Sequence, residues 1–346
     1  MEHSAKQLAI TRSVATLKTL VRDKKVPGLA IAVYKKDSWD WKAGFGYADM
    51  GRETPVNPSE TRFRAASVSK PIAACALASM VAEGLIDLDA SFYKYVPYFP
   101  KKKYDFSIRQ LAAHTAGIRG YKGKEYALNK PFTIRESLQV FQDDPLLFEP
   151  GTEFHYNSFG YVLLSLAMEE ASGIPFDVYT RDKVLIPLGM TNTVAEKPAI
   201  TNEQPTTNNR QRTTFYTRWS SGFRIATPVD NRYKLAGGGY LTTVQDMIQL
   251  GRFVLEERFY PEVISTFLET QSAAGNNTYY GLGWEVSEDI KGRPFYGHIG
   301  NQVGGYSYFR IFPDTGLIAA ALVNCGDPGI QAYLDTLVED YHDLAF

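Results

Sequence analysis

The sequence predicts an α/β fold of α+β type: an antiparallel sheet flanked by N- and C-terminal helices, with a mostly helical domain inserted between its two parts. Three observations predict it. Strand-like apolar runs lie towards both ends of the chain, helical signals dominate from about residue 66 to 190, and each terminus carries helical spacing. The division that follows is 1–65 plus 235–346 for the sheet domain and 66–234 for the insertion.

The elements come in order. Ile10, Val14, Leu17 and Val21 recur at the spacing of one helix face, so a helix is expected over residues 4–22, ended by Lys25-Val26-Pro27-Gly28. Leu29–Tyr34 reads as a buried strand and Trp39–Tyr47 as its hairpin partner. Ile108–His114 and Tyr161–Ser172 carry helical signals within the central block. Residues 201–233 are polar and show little periodicity, which predicts a long loop or a weakly ordered insertion. Strand character returns in Gly281–Val286, Pro294–His298, Gly305–Phe312 and Leu317–Val323, and Gln331–Leu344 reads as a closing helix.

The 346 residues carry a formal net charge of -1, which gives no general electrostatic reason to bind nucleic acid or an anionic membrane. A small-molecule or peptide substrate is the partner expected. No apolar run approaches membrane-spanning length, so no integral membrane segment is expected, and the N-terminus shows no basic-then-apolar signal pattern. That leaves an intracellular protein or one whose leader has been trimmed. Cys75 and Cys325 lie far apart in apolar surroundings and are expected as buried free thiols. There is no His-Glu-x-x-His or Cys-x-x-Cys, so neither a metal nor another cofactor is implied.

Ser67-Val68-Ser69-Lys70 stands where an irregular stretch becomes an alanine-rich segment that runs to Gly84. Pro71 suits a first helical turn and Gly84 a C-terminal cap. Ser67 would sit at the helix start, with Lys70 one turn later on the same face. Unpaired N–H groups there favour an ionised serine oxygen, and a lysine deprotonated by burial can serve as its base. The same residues also read as an ordinary helix cap followed by a solvated lysine. A second Ser-x-x-Lys, Ser91–Lys94, lies just before Pro97 and Pro100, where no long helix could hold the pair on one face.

A serine nucleophile also needs a proton carrier and an oxyanion hole, and two further segments offer them: Phe154–Tyr161 and Tyr296–Gly305. With these segments in place, the chain resembles the penicillin-recognising serine hydrolases, a family of serine β-lactamases, D-alanyl-D-alanine peptidases and related esterases, and in particular its class C-like branch. Further ordered matches are Gly84–Asp89, Leu111–Ile118, Pro187–Met190, Gly237–Thr243 with Asp246, and Tyr280–Trp284. The resemblance implies a β-lactamase/transpeptidase-like fold, Ser67 as acylated nucleophile and Lys70 as its proton acceptor or electrostatic partner. It makes Tyr156 the proton shuttle, for which positive charge at Lys70 or His298 would have to lower the phenol's pKa. The backbone N–H groups of Ser67 and Asn301 would form the oxyanion hole, with Gly300 allowing the strand edge to come close. His114 and His155 are not assigned as bases.

The chain departs from the family pattern at two points. Tyr156-Asn157-Ser158 replaces Tyr-x-Asn, so Ser158 offers a hydroxyl where an amide would grip a substrate carbonyl. His298-Ile299-Gly300 replaces Lys-Thr-Gly, and a histidine charged part of the time near neutrality would hold a substrate carboxylate weakly and in a pH-dependent way. Judged without the family, His298 reads equally as a strand residue with no catalytic part. The function expected is a serine hydrolase that forms an acyl-enzyme on an ester, an amide, a β-lactam or a D-amino-acid derivative. The alternative is a catalytically weak relative that serves as a binding or scaffold protein. Arg210, Arg212, Arg218, Arg224 and Arg232 could place a cation over the pocket, or form a solvated loop.

Overall fold

The computed structural model describes residues 2–197, 211–256 and 260–342. Two stretches of the chain far apart in sequence build one seven-stranded sheet. From the first come β1 (Gly28–Lys35), β2 (Trp39–Asp49) and β3 (Thr54–Pro55); from the second come β4 (Glu285–Glu288), β5 (Pro294–Gln302), β6 (Gly305–Phe312) and β7 (Leu317–Val323). Their order is β4-β5-β6-β7-β1-β2-β3 and each neighbouring pair is antiparallel. The join between the two halves is β1 on β7, in register from Leu29 opposite Val323 to Lys35 opposite Leu317.

Both strands at that join read as unbroken apolar runs because both of their faces are covered. Leu29, Ile31 and Val33 pack with Leu17 and Leu20 of the first helix, α1 (Glu2–Arg22), and with Leu334, Leu337 and Tyr341 of the last helix, Gln331–His342. Ala30 and Ala32 point the other way, into the larger core that also holds Met247 and Leu250. Small side chains on that face let helix Val244–Leu255 lie close to the sheet, and a Cβ on its Gly251 would come within 2.8 Å of Ile318. The Tyr341 hydroxyl donates to Ser13 Oγ at 3.0 Å, linking the two terminal helices. Residues 343 and 344, the end of the expected closing helix, lie outside the described residues.

Helical and irregular segments occupy most of the stretch from 66 to 197, and two helices matter for the site. α2 (Ser69–Ala82) is fully apolar in its middle and buried from Ser69 to Met80, and it ends before Gly84, whose φ is +70°. α3 (Phe159–Ser172) is likewise buried from Phe159 to Met168. A small sheet of Phe63–Arg64, Tyr240–Thr242 and Val194–Ala195 ties the approach to α2 to two distant segments. Part of the polar stretch after 210 forms a hairpin, Tyr216–Trp219 paired with Gly222–Ile225, where a long loop or a weakly ordered insertion was expected. Residues 201–210 lie outside the described residues. Among the described residues no helix is long and apolar enough to cross a membrane, and Cys75 and Cys325 are buried and free.

Two strand boundaries differ from expectation. β4 begins at Glu285 rather than Gly281, because Gly283 (φ +91°) and a bond from the Gly281 N–H to the Trp284 carbonyl close a turn there. β5 runs past His298 to Gln302 and pairs with β6 through residue 305, turning at Gly304 (φ +68°). The extension matters, because it carries Gly300 and Asn301 to the start of α2.

Candidate active site

Ser67 lies in a single 3-10 turn, Ala66–Val68, that leads into α2. Ala66 has φ +47°, a left-handed conformation unusual for alanine, directly before the serine. The serine is not spent as a cap: Val68 is the cap residue of α2, and no side chain bonds the first turn. Ser91 behaves differently. Its Oγ accepts from the Tyr93 N–H and donates to Asp105, while Lys94 is exposed, so the second Ser-x-x-Lys is a cap of its own 3-10 turn.

Lys70 is fully buried. Its Nζ lies 2.7 Å from the Tyr156 hydroxyl, 3.1 Å from the Gly237 carbonyl and 3.3 Å from Ser67 Oγ. Three bonds use every proton of an ammonium group. Loss of one proton leaves a lone pair, and Gly237 can accept but not donate, so the lone pair turns to Ser67 or Tyr156. Burial supplies the means: it pushes the Lys70 pKa down to about 7, against a weaker opposing pull from Glu285. The solvated-lysine alternative does not describe this site.

Tyr156 corrects the sequence-based expectation that nearby positive charge lowers its pKa. The residue is 40 % exposed along the cleft, yet its hydroxyl end is enclosed, and desolvation raises its pKa well above 10 despite a bond to Ser67. It stands at Lys70 as a neutral phenol. Of the two groups, Lys70 is the one whose charge varies near neutral pH.

His298 also differs from expectation. It is buried, and burial together with the Lys70 charge holds its pKa down to about 4, so it is neutral at pH 7 and carries no charge for a substrate carboxylate. Its Nδ1 lies 2.7 Å from the Ile299 carbonyl and Nε2 lies 3.0 Å from the Tyr280 hydroxyl. A carbonyl only accepts, so Nδ1 holds the proton and Nε2 takes the one from Tyr280. No hydrogen bond joins His298 to Ser67, Lys70 or Tyr156; its ring centre is 5.8 Å from that of Tyr156.

The strand containing His298 brings the backbone to the serine. A Cβ on Gly300 would lie 2.7 Å from the Ser67 nitrogen and 2.2 Å from Ser307 Oγ, so the close approach requires glycine. The Ile299 N–H points away from β6 to Glu285 at 3.1 Å, and the two-residue period of a strand puts the Asn301 N–H on that same edge. The Asn301 side chain instead accepts from the Asp327 N–H.

Ser158 lines the cleft within hydrogen-bonding reach of the Tyr121 phenol. Asn157 does not replace the missing family amide. Its Oδ1 accepts from the Gly160 N–H at 2.6 Å and its Nδ2 donates to the His155 carbonyl, so it holds the start of α3. His114 is buried among the rings of Tyr156, Tyr161 and Tyr280, and burial keeps it neutral. Of the arginines singled out, Arg212 and Arg232 are paired with Glu196 and Asp230, and Arg224 lies over Trp219. None of the four described arginines lines the cleft, and Arg210 lies outside the described residues.

Sequence reasoning assigned no role to the Gly237 carbonyl, Tyr280, Glu285 or Lys234. Gly237 and Tyr280 fall inside matched motifs, which was a usable signal. Glu285 had none, being an ordinary strand carboxylate until β5 folds against it. Glu285 bonds the Ile299 N–H, pairs with Arg310 at 3.0 Å and is the acidic group that acts on Lys70. Among the described residues no group of three His, Cys, Asp or Glu is placed to hold a metal ion.

Ser67 opens into a cleft of about 720 Å³ whose walls include Tyr121, Tyr156, Lys234 and the Asn301–Gly304 turn. Fold and site together define the class: a serine, a buried lysine and a tyrosine meet at the start of a helix, beside the edge of a sheet built from both ends of the chain. The chain belongs to the Beta-lactamase family, whose model matches residues 14–342.

Among its relatives is the serine beta-lactamase-like protein LACTB, mitochondrial, of Homo sapiens, 28% identical over 386 aligned positions that cover 83% of this chain and 69% of that protein. Similar solved structures include the D-amino acid amidase from Ochrobactrum anthropi SV3 complexed with D-phenylalanine (TM-score 0.83, 20% identity, covering 97% of this chain and 99% of that one). Another is the octameric penicillin-binding protein homologue from Pyrococcus abyssi (TM-score 0.81, 23% identity, covering 96% and 77%). At these identities the two structures establish the β-lactamase/penicillin-binding-protein type of fold.

Proposed function

We propose that the protein is a serine hydrolase that forms an acyl-enzyme at Ser67 on ester or amide substrates. The observation that carries this reading is the contact of Lys70 Nζ with Ser67 Oγ and the Tyr156 hydroxyl, by a lysine poised near pH 7. Neutral Lys70 takes the Ser67 proton as Oγ bonds to the substrate carbonyl carbon. The N–H groups of Ser67 and Asn301 receive the charge that develops on the carbonyl oxygen. As the bond to the leaving group breaks, Tyr156 gives its proton to that group and takes one from Lys70. Water then adds to the acyl carbon, its proton travels the same route in reverse, and Ser67 is released.

A neutral His298 and a hydroxyl at Ser158 favour substrates other than β-lactams, whose recognition in this family draws on a cation and an amide at those places. Small esters and D-amino-acid amides are the first candidates. The complete Ser67–Lys70–Tyr156 contact also speaks against a scaffold that has lost its chemistry.

The test is a panel of nitrocefin, short-chain nitrophenyl esters and D-amino-acid amides run on wild type and Ser67→Ala, with mass spectrometry of fluorophosphonate-treated protein. Turnover of an ester or amide and one adduct, both lost in Ser67→Ala, are expected. No adduct, or one that survives the substitution, would overturn the reading.

Gly300→Ala should slow fluorophosphonate labelling by about 10²-fold, the scale of one oxyanion donor, because the new Cβ has to displace the Ser67 N–H or Ser307. Labelling within threefold of wild type would remove Gly300 from the reaction.

A further inference from the structure

Lys234 immediately precedes the short helix Leu235–Gly238 whose Gly237 carbonyl holds Lys70, so it shares a wall of the cleft with the serine centre. It is 5% exposed, and its Nζ donates to the Tyr126 carbonyl at 2.7 Å. Among the described residues it forms no ion pair. A buried ammonium group held by one neutral carbonyl is costly unless something supplies the opposite charge.

The surrounding acids are already committed. Glu196 is shared between Arg64 at 2.7 Å and Arg212 at 2.9 Å, and also accepts from Asn231. Asp230, on the same segment as Lys234, pairs with Arg232. Glu125, from the facing segment, pairs with Arg119. Two guanidinium groups on one carboxylate leave this wall with a positive excess, and exposed Lys124 adds to it at the cleft. The Tyr121 and Tyr233 rings lie 5.5 and 5.7 Å from the ammonium and shield it from bulk water. The histidine at the family's usual cationic position is neutral, so the positive charge available to a ligand sits on this wall.

We propose that Lys234 is an anion subsite of the cleft, which takes a free carboxylate carried by the ester or amide substrate. The proposal rests on the reading of Ser67 as nucleophile for its place in catalysis. Binding of the carboxylate itself does not depend on that reading. Burial and the charge of Arg64 lower the Lys234 pKa to about 8, with Glu196 and Asp230 opposing, so the subsite is charged at neutral pH and loses its charge above 8.

The test compares matched substrates that differ by one carboxylate. On the acyl side these are 4-nitrophenyl monoadipate and 4-nitrophenyl hexanoate; on the leaving-group side, 3-acetoxybenzoate and phenyl acetate. In at least one pair the ratio of kcat/KM for the acid over the neutral ester should fall tenfold or more in Lys234→Gln, which can still donate to Tyr126. The pair that responds tells which side carries the carboxylate. In wild type the same ratio should drop as pH rises through about 8, a measurement that needs no variant to fold, whereas titration of Lys70 affects both members of a pair alike. Ratios within twofold of wild type for both pairs overturn the subsite, as does a ratio in wild type that stays flat with pH.

If wild type turns over none of the four esters, the nucleophile reading is the one in trouble, and calorimetric titration of adipate decides the subsite separately. A Kd raised at least tenfold in Lys234→Gln sustains it. An unchanged Kd, or no adipate binding by wild type, ends it.

Discussion

Lys70→Ala is expected to lower kcat/KM by about 10²- to 10⁴-fold, the range that a positioned general base supplies. Lys70→Arg should be as inactive, because arginine keeps its charge and cannot accept the Ser67 proton. Activity of the wild type should rise with pH through about 7, as the buried ammonium loses its proton and its lone pair turns to the serine. A rate that is flat between pH 6 and 8 would remove Lys70 as the base.

The same shift predicts a change in stability, and its sign follows from linkage. The folded pKa of about 7 lies below the ordinary value of 10.5, so between those two pH values the unfolded chain binds the extra proton. The cost of burying the charge is full below pH 7 and fades towards 10.5. Lys70→Met removes that cost, so its stability relative to wild type should be greatest at pH 6 and should shrink by about 3 kcal/mol by pH 9. Chemical denaturation at the two pH values measures this directly. The lysine is thus expected to be a place where activity is kept at the expense of stability.

Glu196→Ala is expected to be among the most destabilising single substitutions in the chain, by about 3–5 kcal/mol. The carboxylate and Arg64 are each about 2% exposed, and Glu196 also holds Arg212 and the Asn231 amide. Its removal leaves one guanidinium buried without a counter-charge and a second half-released. Arg64 stands three residues before Ser67 and donates to the Val303 carbonyl, in the turn that follows Asn301. Loss of Glu196 should therefore slow the labelling of Ser67 as well as lower Tm. Glu196→Gln, which keeps the shape and one acceptor, should lose less. Equal loss in the two variants would mean that the charge, which both lack, is all that matters.

How much of this was legible beforehand can be seen residue by residue. The join of β1 to β7 was foreshadowed by two unbroken apolar runs, since a strand covered on both faces has no need of alternation. The site was legible where several motifs occurred in order: Ser67, Lys70 and Tyr156 were each named, and the cleft brings them within 3.3 Å of one nitrogen or closer. Ser91–Lys94 shows why order was needed, because the same four-residue pattern there makes an ordinary cap.

The misreadings share one cause, which is that charge depends on burial. His298 was expected to be charged part of the time and Tyr156 to have its pKa lowered, and both expectations assumed surroundings that conduct a neighbour's charge better than they desolvate the group itself. Folding reverses that balance at each, and places the variable charge on Lys70. Of the two readings open for the arginines after 201, a cation over the pocket does not describe Arg212 and Arg232, which fold against carboxylates that come from neighbouring stretches of chain.

The sequence by itself determined the two-ended sheet, the helical block between its halves and the residue types that gather at the start of α2, because periodicity and motif order are local properties of the chain. Tertiary structure decided which of those residues carry charge, which backbone edge meets the serine and where a substrate's own charge finds a partner. Those are set by desolvation and by distances between segments hundreds of residues apart, neither of which a local pattern encodes.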